Sequence, residues 1–215
     1  TLEVTNAKNF GKPQRYWDGI TLSANGRLPG GATLGGGLDM GRQVDDHCFT
    51  VDVPNQPNDI NNVTTGFPGG PFCRVVTSWG DTLDIRLRGS VPLKGGFNAS
   101  AIYRNTPGAE ESALLTVTSA DVTFLNPART TLTAAKTVNL YAPNSVYGKR
   151  FNQLDLSLNK SFDIGWGRLR TAVDLYNATN SHSIQNVTTT YGSRWLRPST
   201  FLDARLARVT ASIAF

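Results

Sequence analysis

The residues that could ligate, react or cross-link gather between positions 45 and 73. Asp45, Asp46, His47 and Cys48 are consecutive, Asp52 and Asp59 follow, and Cys73 closes the stretch. Asp45, Asp46, Asp52 and Asp59 could supply oxygen ligands to calcium, although their spacing is not that of an EF-hand loop. A solvated loop is the plainer reading. His47 and His182 lack the spacing of a metal pair, and without a CxxC a zinc site is not expected. Two cysteines in a Pro-, Asn-, Asp- and Gly-rich stretch suggest a disulfide and an oxidising compartment; two isolated free thiols are the alternative. Glu110 and Glu111 are adjacent and read as solvated. GxSxG is absent, no Ser/His/Asp arrangement or phosphate loop stands out, and the glycines at 35–37 read as strand glycines. The expectation is a non-enzyme with no cofactor; calcium on the aspartates, or a metal at His47 beside Asp45, Asp46 and Cys48, is the alternative to a solvated loop.

Composition says what kind of elements must carry these residues. The chain has 215 residues, 39% apolar and 17% charged, with 21 glycines, 11 prolines and one methionine. Low charge argues against disorder. β-branched and aromatic residues between Gly, Pro and Asn clusters argue for strands and turns. The longest apolar run is three residues, far below the roughly 20 a membrane helix needs, and no secretory leader is visible. A membrane β-barrel stays open, because its strands alternate. The net charge of +5 comes from scattered basic residues, not from the stripe that nucleic-acid binding requires.

Seven alternating segments follow one another: 16–25, 32–42, 81–91, 97–105, 150–163, 168–177 and 199–215. The cleanest is 81–91, where Leu83, Ile85, Leu87 and Val91 alternate with Asp84, Arg86, Arg88 and Ser90. That pattern predicts an apolar face against lipid or an apolar partner. It also predicts a polar face on which Arg86 or Arg88 reaches Asp155 or Asp174. A change of parity in the last segment predicts a β-bulge near 206–208. The connections near 28, 94 and 165 are short; those at 43–80, 106–149 and 178–198 are long. They alternate strictly, so an antiparallel meander puts every long loop at one end, as in outer-membrane barrels. A soluble β-sandwich is the alternative. Trp17, Trp79, Trp166 and Trp195, with Tyr16, Tyr176 and Tyr191, lie near segment ends where barrels carry aromatic girdles.

The pieces FGKPQRYWDGITLSANGRLPGG (10–31), GRQVDDHC (41–48), FC (72–73), NTPG (105–108), VYGKRFNQLDLSLNKSF (146–162), VDLYNATNS (173–181), YGSRWLRPS (191–199) and Phe215 occur in a telling order. In it the chain resembles the C-terminal part of an Oar-like (carboxypeptidase-regulatory-like) TonB-dependent outer-membrane receptor. The alternating segments and their connections predict an all-β antiparallel meander of about seven strands, similar to the C-terminal portion of an outer-membrane β-barrel, with three long loops at one end and 1–15 as a loop remnant. The resemblance implies that Phe215, Ile213 and Val209 belong to an outer-membrane assembly signal. Asn177 and Asn180 would form a strand-end motif at the membrane rim, and Cys48 and Cys73 a pair in an extracellular loop. Nutrient uptake across the bacterial outer membrane is the implied function. The expected partners are the remainder of the receptor barrel or copies of this chain. The alternative is a structural one: a cleaved receptor fragment that self-assembles into an extracellular fibre or tube. A soluble carbohydrate- or cell-binding module is a third, weaker reading.

Overall fold

The computed structural model describes residues 12, 14–46, 48, 72–121 and 135–215. The chain forms an antiparallel meander whose order is β1 (Gln14–Arg27), β2 (Thr33–Asp46), β4 (Asp84–Leu93), β5 (Phe97–Thr106), β8 (Phe151–Asp163), β9 (Arg168–Tyr176) and β12 (Leu206–Ala214). The sheet is not closed into a barrel, and β1 and β12 are its two edges. An eighth strand, β3 (Arg74–Thr77), pairs with the far end of β2. It lies on the side of β2 that β4 occupies, and the short helix α1 (Trp79–Thr82) separates the two. β3 falls inside the segment read as a loop at 43–80, because four residues show too little alternation to stand out.

Seven strands give rungs that cross the whole sheet. One runs Gly26, Leu34, Gly89, Ala101, Leu156, Leu175, Ala207. One residue along, the next runs Arg27, Thr33, Ser90, Ser100, Ser157, Asp174, Arg208. Side chains alternate between faces along a strand, so the first rung is apolar on one face and the second polar on the other. The polar rung is stitched by Thr33 Oγ1 to Ser90 Oγ at 2.7 Å, Ser157 to Asp174 at 2.6 Å and Arg208 to Asp174 at 2.8 Å. The apolar face is left uncovered: Leu22, Leu34, Leu87, Val91, Leu156, Leu158 and Val173 are all exposed.

The three short turns lie together at one end. Leu28 N donates to Ala32 O at 2.7 Å around Gly30 (φ 80°), and Gly95 (φ 77°) serves the second turn. Glycine adopts this left-handed conformation without a Cβ clash. Ile164 N to Gly167 O at 2.9 Å closes the third. The glycines at 35–37 in β2 allow a close approach: a Cβ on Gly36 would collide with the Arg86 carbonyl.

At the other end the long connections build a cap. β6 (Leu114–Val117) pairs with β7 (Lys136–Asn139), and β10 (Ile184–Val187) with β11 (Pro198–Phe201). The sequence shows strand-like pieces at 113–118 and 137–141, which match β6 and β7, but its last alternating segment takes in 199–201. Residues 199–201 instead pair within the cap. The bulge expected near 206–208 is not formed: β12 pairs with β9 in unbroken register from Leu206 to Ala214. Residues 202–205 lie outside β12, held by Leu202 N to Ser183 O at 2.9 Å and Arg205 N to Asn180 Oδ1 at 3.0 Å. The parity change in the sequence marks this interruption. Among the described residues the buried side chains, including Val44, Val75, Ala113 and Asn177, belong to the cap and the strand ends beneath it.

Candidate functional site

Two places concentrate polar chemistry. The first is a cleft of about 770 Å³ on the polar face, formed where β1, β2, β4 and β5 run side by side. Thr21, Ser23 and Asn25 line it from β1, Asp39 from β2, Asp84, Arg86 and Arg88 from β4, and Arg104 from β5. Arg86 grips Asp84 on its own strand through Nε at 3.0 Å and Nη2 at 2.7 Å. Arg88 reaches the Asn25 side-chain oxygen at 3.3 Å. Asp39 accepts the Thr21 hydroxyl at 2.5 Å.

This corrects the expected partners. Arg86 and Arg88 do not reach Asp155 or Asp174. Arg88 shares a rung with Asp155 but Ile102 stands between them, two strand spacings of roughly 4.8 Å each. Asp155 instead accepts Gln153 Nε2 and the Asn177 N–H, and Asp174 is taken by Ser157 and Arg208.

The second place is the strand-end knot under the cap. Asn177 follows β9 in the left-handed region (φ 47°) and is 2% exposed. Its N–H donates to Asp155 at 2.8 Å, its Nδ2 to the carbonyls of Ser181 and Asp203 at 2.9 Å each, and its Oδ1 accepts the Ser181 N–H at 2.8 Å. Asn180, also left-handed, accepts the Arg205 N–H. The DLYNATN motif therefore ties the end of β9 to the entry of β12.

Above it, the two later long connections dock on one another. Leu114 N donates to Thr189 O and Tyr191 N to Leu114 O, both at 2.9 Å. The Trp195 indole N–H donates to Ser112 O at 3.0 Å, with Tyr141 and Tyr191 rings beside it. Glu110, expected to be solvated, holds Ser112 Oγ and Asn144 N at 3.0 Å each. Nothing in an adjacent pair of glutamates signals this, because the partners lie in a loop. Among the described residues Arg150, just before β8, binds neutral oxygens, including Asn105 Oδ1 at 2.7 Å and Gly80 O at 3.3 Å, and so joins the start of β8 to α1.

Burial is the main reason that the Tyr141 and Tyr147 hydroxyls titrate above the usual tyrosine value of 10.0; Glu111 and Glu110 add to it at Tyr141, Glu110 and Asp81 at Tyr147. Between pH 10 and those raised values the unfolded chain has lost protons that the folded cap keeps. Stability is therefore full below pH 10 and falls as pH rises above it. Tyrosinate absorbance should show Tyr141 and Tyr147 titrating late, together with a falling thermal midpoint; loss of both protons near pH 10 would contradict the packing.

Of the sequence candidates, Cys48 and Cys73 form a disulfide with a Cα–Cα distance of 4.7 Å. Asp45 and Asp46, adjacent on β2, face opposite ways: Asp45 meets Arg15 and Gln43, Asp46 meets Arg74 at 3.7 Å and the Cys48 N–H. The structure does not bring them together as a ligand pair. His47, Asp52 and Asp59 lie outside the described residues. Among the described residues no group of three His, Cys, Asp or Glu side chains converges as a metal site.

Val209 and Ile213 lie on the apolar face of edge strand β12, opposite Val173 and Leu169, and Phe215 is fully exposed. Four of the aromatic residues expected in girdles lie elsewhere. Trp17 lies on the polar face, its ring over Gly19 and Gly41, Trp79 is in α1 and Trp195 is inside the cap. Tyr176 shares the polar face with Arg208. On the apolar face near the short turns, Phe97 and Phe162 flank the Lys160 ammonium at 4.6 and 4.8 Å. No protein-family model, curated protein or solved structure matches this chain.

Proposed function

We propose that the chain is a segment of a TonB-dependent-receptor-like outer-membrane β-barrel, its apolar face toward lipid and its polar face toward the lumen. The observation that carries this reading is the two-faced sheet: a continuous apolar surface left uncovered, a charged opposite surface, and every long connection at one end. Lipid-facing and lumen-facing residues alternate in this way along barrel strands. Phe97, Lys160 and Phe162 fit a membrane–water boundary, where an ammonium can reach the headgroups while its stem stays among apolar rings. Nutrient uptake through the completed barrel follows from the family resemblance.

The test is extraction from membranes. The chain is expected to require detergent and to float with lipid. A chain that is monodisperse in buffer without detergent would sink the reading. Ile85→Asp and, more strongly, Leu158→Arg on the apolar face are expected to block assembly. An arginine at the bilayer midplane costs about 2–4 kcal/mol, and an acid less. Unchanged membrane-assembled yield for both variants would show that the face assignment is wrong.

A second reading is favoured by the edges. Among the described residues β1 offers fourteen residues and β12 nine with no further strand beside them, and open edges template pairing with other chains. The meander makes β1 and β12 run in the same direction. Copies joined β12 to β1 with their caps on one side would meet in parallel, whereas a two-fold junction would be antiparallel. This is the extracellular fibre or tube. Electron microscopy of the secreted fraction decides it, and absence of any ordered polymer counts against it.

A further inference from the structure

The polar face carries an arrangement that the barrel reading does not require. Arg86 on β4 stands directly opposite Arg104 on β5. Like charges in that relation destabilise a bare sheet. Arg88 follows two positions along β4, roughly 6.8 Å away on the same face. Asp84 occupies one edge of Arg86. Arg88 has only the Asn25 amide oxygen, and Arg104 makes no hydrogen bond or ion pair among the described residues. All three are exposed to the 770 Å³ cleft. Two neighbouring clefts continue the row: one of about 570 Å³ adds Arg27 beside Arg88, and one of about 380 Å³ contains Arg86 and Arg104 again. Four arginines against Asp39 and Asp84 leave a positive excess along one wall. Thr21, Ser23 and Asn25 face it from β1.

We propose that this cleft binds an oxyanion ligand, a phosphate or carboxylate group held between Arg88 and Arg104. A guanidinium presents forked N–H donors that match two oxygens of such a group, and charge-assisted bonds of this kind are the strong ones. The bound anion screens the repulsion between Arg86 and Arg104. The inference rests on the barrel-segment reading in one respect only: the polar face must stay open to solutes, as a lumen wall is.

The experiment titrates the whole chain in detergent micelles with inorganic phosphate in one arm and citrate in the other, by calorimetry at low salt. Saturable binding in at least one arm is expected, and the tighter arm identifies the preferred group. Arg104→Gln and Arg88→Gln are each expected to weaken binding about tenfold, with Arg104→Lys intermediate. Arg170→Gln removes an arginine of the same face outside these clefts and should leave affinity unchanged. Circular dichroism confirms that each variant keeps its sheet; should one fail to fold, the remaining arginine variant carries the comparison. Absence of saturable binding in both arms overturns the proposal. So does an equal loss with Arg170→Gln, which would mean diffuse charge. Detergent dependence is read separately. A chain that binds phosphate yet needs no detergent keeps this site and loses the barrel reading; one that needs detergent but binds neither anion does the reverse.

Discussion

Asn177→Ala is expected to destabilise the folded chain by about 3 kcal/mol, the sum of lost hydrogen bonds and a strained backbone. The side chain donates twice and accepts once in a position that is 2% exposed. Without it, the Ser181 N–H and C=O lose their partners in a half-buried loop, while the Asp203 carbonyl can turn toward water. Alanine also pays for the left-handed φ of 47°, which asparagine tolerates well. Asn177→Gly separates the two causes. It removes the same hydrogen bonds but not the backbone freedom, so it should recover about 1 kcal/mol relative to alanine. Denaturant midpoints of the three proteins in the same detergent give the comparison. Equal midpoints for wild type and Asn177→Ala would show that the knot does not hold the end of β9 to β12. Because Arg205 and Asp203 lead into β12, the loss should also loosen the edge that carries Val209 and Ile213.

The seven long strands are legible in the sequence because apolar and polar residues mostly alternate along each for nine or more residues, Ile102 on the polar face of β5 being an exception. Turns rich in glycine mark the ends. Of the short strands, β6 and β7 show in the sequence as strand-like pieces, but three others are not legible. β3, β10 and β11 have four residues each, too few for alternation to differ from chance, and their pairing is set by tertiary contacts in the cap. The segment 199–201 shows the consequence: its residues suit the long strand that follows, but the hydrogen bonds at Leu202 and Arg205 cut it off.

The charged cleft was hidden for a related reason. Alternation places Arg86, Arg88 and Arg104 on the polar face of their own strands. It does not say which of them stand opposite one another, because the strand register is needed for that. The expected bridge from Arg88 to Asp155 fails on register alone, with Ile102 between them. The disulfide, in contrast, was legible because no other cysteine competes. The role of Asn177 entered through the family resemblance, since nothing in its composition separates it from the other asparagines.

Reduction of Cys48–Cys73 is the second large effect expected, and its consequence should be local. The bond joins residues 25 positions apart. Closing a loop of that length constrains the unfolded chain by about 3–4 kcal/mol in the chain-entropy account. Position decides where the loss is felt. Cys48 lies two residues past Asp46, the last of β2, and Cys73 immediately precedes Arg74, the first of β3. Asp46 and Arg74 are register partners, so the bond staples the outermost rung between the two strands. β3 has only four residues of ladder with which to resist opening. β4, in contrast, is held on both sides by long pairings, and α1 is clasped to β2 by the Thr82 hydroxyl, which donates to Gly41 O at 2.5 Å and accepts its N–H at 2.8 Å. Reduction should therefore free β3 up to that clasp and no further. Amide exchange at Val75, Val76 and Thr77 is expected to accelerate by at least about tenfold, in keeping with the loss of local stability, while exchange at Arg86 and Leu87 stays unchanged. Equal protection of β3 before and after reduction would show that its pairing with β2 stands without the cross-link. Acceleration that spreads through β4 would show that the staple holds the sheet itself.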